Sequence, residues 1–177
     1  MNRFILCGLL GILAGILLTP ALRAEDLQPS GPYSIRGALG AAYAVGDSHF
    51  NRRSSVDPAI QGAFLYQPLR LLGFFVAYDR PQAGRRLDSE MATGGIRLNL
   101  GEYSGWTPFA EAGAGVGRTN TQRDMDRPAA KADIGIEKRL APQVSLGALL
   151  GYDYINTRGH ASGLHDIAPM AYAAYHF

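Results

Sequence analysis

The stretch Asp133-Ile134-Gly135-Ile136-Glu137-Lys138-Arg139-Leu140-Ala141-Pro142-Gln143-Val144-Ser145-Leu146-Gly147-Ala148-Leu149-Leu150-Gly151-Tyr152-Asp153-Tyr154 decides the fold. Before Pro142, the apolar Ile134, Ile136 and Leu140 alternate with Asp133, Glu137 and Arg139. After it, Val144, Leu146, Ala148, Leu150, Tyr152 and Tyr154 oppose Ser145 and Asp153. A period of two puts successive side chains on opposite faces of a strand, so each half reads as a strand with one apolar and one polar face. The link at 141–143 is short enough for a hairpin. Only Lys138 interrupts the apolar face, near an end where its ammonium can snorkel to water.

The same count runs outward in both directions. Toward the N-terminus, Tyr33, Ile35, Leu39, Tyr43 and Val45 oppose Ser34, Arg36 and small residues. Segments at about 59–67 and 71–79 show Ile60, Phe64, Tyr66 and then Leu72, Phe74, Val76, Tyr78, with Gln61, Gln67 and Asp79 on the other face. Segments at about 91–100 and 106–117 set Ile96, Leu98, Trp106 and Val116 against Thr93, Arg97, Asn99 and Glu111. The polar face at about 129–140 also holds Lys131, and a last segment at about 167–177 shows Ile167, Tyr175 and Phe177. The total is eight, an even number, as a closed single-chain membrane barrel requires. The links at about 68–70, 101–105 and 141–143 are short. Those at about 46–58, 80–90, 118–128 and 156–166 are longer and polar. The expectation is an all-β, eight-stranded antiparallel up-and-down transmembrane β-barrel with periplasmic turns and extracellular loops. Aromatic residues then fall into two girdles: Tyr33, Tyr66, Trp106, Tyr175 and Phe177 at the periplasmic rim, and Tyr43, Tyr78, Tyr152 and Tyr154 at the outer one. A soluble barrel of lipocalin type would hide its apolar face inside, whereas here the charges concentrate on the face opposite the apolar one.

Composition and the first residues agree. The chain has 177 residues, 22 of them glycine, and a single cysteine. Arg3, the unbroken apolar run Phe4 to Leu18 and the small-residue sites ending at Ala24 read as an export signal too short to span a bilayer. The expected domains are a cleaved signal peptide at 1–24 and one outer-membrane barrel at 25–177. Without Arg3 and Arg23, 15 basic residues face 15 acidic ones, which excludes a nucleic-acid binder with a net basic face. Cys7 leaves with the signal, so no disulfide is expected.

The mature chain resembles the small eight-stranded outer-membrane barrels related to OmpA, OmpX and the opacity proteins. The residues that carry this are Gly31-Pro32-Tyr33 with its small-residue strand, Thr107-Pro108-Phe109-Ala110-Glu111-Ala112-Gly113-Ala114-Gly115-Val116-Gly117, and Gly135-Ile136-Glu137 through Leu146-Gly147. By the same resemblance Tyr175 and Phe177 form a C-terminal signal read by the barrel-assembly machinery. The family's peptidoglycan-binding domain is not expected, because the chain stops inside its last strand.

An eight-stranded barrel is only wide enough for side chains to fill it. Arg36, Arg97, Lys131 and Arg139 face inward with Asp79, Glu111, Asp133, Glu137 and Asp153, so the expectation is an ion-pair plug built on Arg36, Arg97, Glu111, Asp133, Glu137 and Arg139. Arg36, on the first strand, should face the fifth across the lumen. The expected function is non-enzymatic: envelope integrity and surface interaction or adhesion through long loops. Nine loop arginines, Arg52, Arg53, Arg80, Arg85, Arg86, Arg118, Arg123, Arg127 and Arg158, suit lipopolysaccharide phosphates, with Arg52, Arg53, Arg85 and Arg86 the chosen contacts. Partners are outer-membrane lipid, lipopolysaccharide, the assembly machinery and an extracellular ligand the sequence does not name. No cofactor or metal is expected, and a monomer is. Two alternatives stand beside this reading. One is a narrow low-conductance channel. The other is a lipid A-modifying hydrolase using His160 and Ser162, whose spacing is similar to the outer-membrane lipid A deacylases. Against it, Gly163 follows where that family has Asn, and no acid was expected in the last strand.

Overall fold

A computed structural model of the chain describes residues 31–45, 56–83, 88–119, 126–156 and 163–177. The signal segment 1–24 lies outside them, as do Arg52, Arg53, Arg85, Arg86, Arg123, Arg158, His160 and Ser162. The described residues form eight strands and no helix: β1 Tyr33–Ala44, β2 Asp57–Tyr66, β3 Leu72–Ala83, β4 Asp88–Asn99, β5 Trp106–Thr119, β6 Arg127–Ala141, β7 Val144–Ile155 and β8 Leu164–His176. Each pairs antiparallel with its neighbour in sequence, and β1 pairs with β8, closing the barrel. Closure leaves no sheet edge, the condition under which strands can cross hydrocarbon.

The alternation decides which face points where. Leu39 on β1 is 67% exposed and Arg36 on the same strand 1%. Ile35, Val76, Ile134 and Leu146 also face out, while Asp79, Lys131 and Glu111 face in. An apolar belt on the outside and charges on the inside is the inverse of a water-soluble barrel, and only a hydrocarbon surround makes that belt favourable.

At the end that holds residues 67–71, 100–105 and 142–143, the connections are tight. In the middle one Ser104 and Gly105 both have positive φ, 52° and 78°, which lets the chain reverse beside the Tyr103–Trp106 bridge. The barrel closes at the same end, where Phe177 N donates to Tyr33 O at 2.9 Å. Around that seam the rings of Tyr33, Tyr66 and Phe177 stack at 5.1–6.1 Å. Tyr175 lies 6.3 Å from Phe177, so both residues of the expected assembly signal sit in the aromatic rim, facing out. Lys138 ends 5.3 Å from the Trp106 ring at this rim.

At the opposite end the strands run further than the polar composition suggested. Arg80, Asp88, Glu90, Arg118, Arg127 and Asp166 belong to strands and not to loops. The β3–β4 connection is therefore residues 84–87, shorter than the 100–105 turn at the other end, and the expected alternation of short and long links fails at this hairpin. The physical reason is that strands rising beyond an apolar belt keep their ladder while their outward side chains become polar. Arg80 and Asp88 hold that extension together, with Nη2 2.8 Å from both carboxylate oxygens, at the register shift between Asp79 and Gln82.

Candidate functional site

Among the described residues the buried charges face the lumen, and they lie in two layers. In the layer nearer the tight turns, Arg36 reaches from β1 across to β5. Its Nη1 and Nη2 donate to Oε1 and Oε2 of Glu111, both at 2.7 Å, with both side chains fully buried. Fork against fork is the strongest form of this pairing. β1 and β5 are four strands apart in either direction, so the pair bars the lumen across its full width. Arg97 is the ladder partner of Glu111. Its Nη1 lies 3.3 Å from Glu111 Oε1, its Nη2 donates to Glu137 Oε2 at 2.9 Å, and its Nε donates to Asn99 Oδ1 at 2.9 Å. Two guanidiniums are matched by two carboxylates.

Aromatic rings fill what the charges leave. Arg97 Cζ sits 3.8 Å from the centroid of Phe109, and Arg36 lies over Tyr172 at 5.5 Å. Phe109 and Tyr172 meet edge to face at 6.1 Å, and the Tyr172 hydroxyl donates to Glu137 Oε2 at 3.0 Å. Neither ring was anticipated as part of the site.

The same carboxylate gathers Ser145 and His176, which brings a hydroxyl, an imidazole and an acid together. Ser145 Oγ is 2.9 Å from Glu137 Oε1 and 2.8 Å from His176 Nε2, and that nitrogen is 3.4 Å from Glu137 Oε1. Ser145 Oγ donates its single hydrogen to Glu137, so that hydrogen is not directed at His176 as it would be in a serine activated by an imidazole. In a hydrolytic triad the acid holds the other imidazole nitrogen. Ser145 is also completely buried.

The second layer lies toward the other end. Lys131 Nζ is 2.9 Å from Asp79 Oδ1 and 3.1 Å from Asp133 Oδ2. Asp153 is the ladder partner of Lys131, and Asp166 is the ladder partner of Asp153. All four aspartates are buried. Asp133 therefore belongs to a different cluster from Arg36, Arg97, Glu111 and Glu137, although it stands directly opposite Glu111 in the β5–β6 register. Arg139 is half-buried near the turns and makes no ion pair among the described residues, so it is not in the plug. Asp166 places an acid in the last strand, contrary to expectation. The residues it was to serve, His160 and Ser162, lie outside the described residues. Among the described residues no three imidazoles, thiolates or carboxylates converge to ligate a metal.

No protein-family model matches the chain, and no curated protein matches it in sequence. Solved structures match its fold. Neisserial surface protein A aligns with a TM-score of 0.65 at 16% identity, over 83% of this chain and 98% of that one. Ail, the attachment invasion locus protein of Yersinia pestis, aligns at 0.55 and 15% identity, over 83% and 99%. The outer membrane enzyme PagL aligns at 0.51 and 14% identity, over 79% and 97%. The structural neighbours are small eight-stranded outer-membrane barrels, and at these identities the likeness is one of fold.

Proposed function

We propose that this chain is a non-enzymatic outer-membrane barrel of a Gram-negative cell. Its lumen is plugged, and it contributes to envelope integrity and to surface contact, adhesion included, through its outer loops. The observation that carries this reading is the Arg36–Glu111 pair, which reaches across the lumen from β1 to β5 with both side chains fully buried. The outward apolar belt and the outer-membrane neighbours support the location; export by residues 1–24 and assembly through Tyr175 and Phe177 complete the proposal. In it the barrel is a monomer whose loop arginines Arg52, Arg53, Arg85 and Arg86 meet lipopolysaccharide phosphates. An attachment protein and a surface protein of the same fold give precedent for surface contact; the enzyme of that fold is the competing precedent, and Ser145–His176 is not arranged for hydrolysis.

The test pairs two measurements on one strain set. A deletion strain should show a leakier envelope or weaker surface attachment with an unchanged lipid A mass spectrum. The purified barrel should give no stable ohmic current in planar bilayers. An acyl-chain change in lipid A that tracks the gene overturns the non-enzymatic reading, and a channel unaffected by Glu111→Ala overturns the plug.

A further inference from the structure

The outer layer of the lumen holds more acids than bases, and buried groups lie on both sides of it. Below it lie the Arg36–Glu111 bar, Phe109 and Tyr172. Above it Met91, Ala129, Ile155 and Leu164 form an apolar cluster with Ala44 against it. Met91 and Ile155 meet over Gly117, where even an added Cβ would stand 3.0 Å from Ile155.

Between these two floors the charged groups facing inward are Asp79 on β3, Lys131 and Asp133 on β6, Asp153 on β7 and Asp166 on β8, with Asp57 and Arg127 toward the outer end. Asp153 stands directly opposite Asp166 in the β7–β8 register; Asp166 has an interaction of its own, so the excess is carried by Asp79, Asp133 and Asp153 against Lys131. Lys131 touches Asp79 and Asp133, yet Asp79 Oδ2, Asp133 Oδ1 and Asp153 Oδ1 accept no hydrogen bond from any protein group.

An independent sign comes from a neutral residue. Gln61 on β2 is 2% exposed and is the ladder partner of Asp79, so its amide points into the same layer. Neither its Oε1 nor its Nε2 has a protein partner, and the same holds for Thr93 Oγ1 on β4. A buried amide with both ends unmatched is costly unless something polar meets it. Buried carboxylate and amide oxygens without protein donors, beside an excess of acids over bases, are the environment of a hard cation.

We infer that the buried layer bounded by Gln61, Asp79, Asp133 and Asp153 binds a partly hydrated alkali-metal cation, which balances its carboxylates beside Lys131. Because no three acids among the described residues converge to chelate a bare ion, a divalent metal stripped of water does not fit. A monovalent ion that keeps part of its water shell does, with the water reaching the oxygens the ion does not touch. The inference stands apart from what the loops contact, so it can fail without touching the proposed function.

The experiment uses the full-length barrel refolded in detergent micelles. Urea unfolding is followed by the gel-mobility shift between folded and unfolded barrel, in potassium chloride and in N-methyl-D-glucamine chloride of equal concentration. At a potassium concentration near ten times Kd, linkage predicts a folded-to-unfolded ratio about tenfold higher in potassium. Asp153→Asn removes one of the excess charges and should abolish the difference while staying at least as stable as wild type in the organic salt. Gln61→Leu keeps every charge and should weaken the potassium effect. In crystals grown with rubidium, an anomalous peak should lie among Gln61, Asp79 and Asp153. Equal stability in the two salts with no rubidium peak overturns the inference, as does a potassium effect that Asp153→Asn leaves intact. A response to magnesium alone overturns the alkali assignment.

Discussion

On the tight-turn side of the lumen two guanidiniums meet two carboxylates, and on the far side one ammonium sits among four aspartates. Counted over the whole interior, acids outnumber bases, but the sum alone does not say where the excess lies. Inside a protein a charge is compensated by what lies within a few ångströms, because the cost of desolvation is local. In the first half every carboxylate has at least two donors, and among the described residues the one buried charged group left without a bond there is Arg36 Nε. In the second half several oxygens have none. Removing a partner should therefore do opposite things in the two halves.

The largest effect is expected at Glu111. Replacing it with alanine leaves Arg36 buried and unpaired, at a cost of about 3–5 kcal/mol. Urea denaturation of the refolded barrel checks this. The structure also orders the couplings: Arg97 keeps Glu137 and Asn99 when Glu111 is lost, whereas Arg36 keeps only ring contacts. A double-mutant cycle should accordingly give a larger coupling for Glu111 with Arg36 than for Glu111 with Arg97. Strict additivity of Glu111→Ala and Arg36→Met would show that the bar across the lumen does not exist in solution.

A smaller loss is expected at Tyr172. Its hydroxyl donates to Glu137, which Arg97 and Ser145 also serve, so Tyr172→Phe removes one of several bonds to a charged acceptor. About 1–2 kcal/mol is expected from the same denaturation curves. A loss as large as that of Glu111→Ala would mean that the inner half is held by the tyrosine and not by its ion pairs.

The strands and the facing of the charges were legible because a period of two is a strong signal wherever one side of a sheet meets lipid. Arg36 could be assigned to the fifth strand from strand order alone, and it is Glu111 of that strand that it meets. Three kinds of feature were hidden. Tyr172 and Phe109 were not anticipated because aromatics suit either side of a barrel wall, and Ser145, though placed on the polar face by its alternation, gave no sign that it meets Glu137 and His176. The split into two layers depends on height along the axis, which strand tilt and stagger set and composition does not. The β3–β4 extension read as a loop because Arg80, Asp88 and Glu90 are polar, though polarity there reflects leaving the apolar belt and not leaving the sheet.

The smallest effect should come from the ion pairs outside the barrel, which test whether burial or charge itself makes the lumen sensitive. On the outer surface of β3, β4 and β5, Glu90 accepts from both Tyr78 and Arg118, and Arg80 contacts Asp88 with both side chains about 40% exposed. These pairs have the chemistry of Arg36–Glu111 without its desolvation. Water screens them, and ordering long side chains offsets much of the attraction. Glu90→Gln should leave the urea midpoint within experimental error of wild type. Any residual difference should vanish on raising salt from about 0.1 M to about 1 M, where the screening length falls to roughly 3 Å. The loss at Glu111 should persist through the same salt range, because no ion reaches a fully buried pair. If Glu90→Gln instead costs as much as Glu111→Ala, and salt does not relieve it, the rim is not exposed to water in the assembled barrel. The contrast between paired interior and solvated exterior would then have to be redrawn with that rim counted as buried.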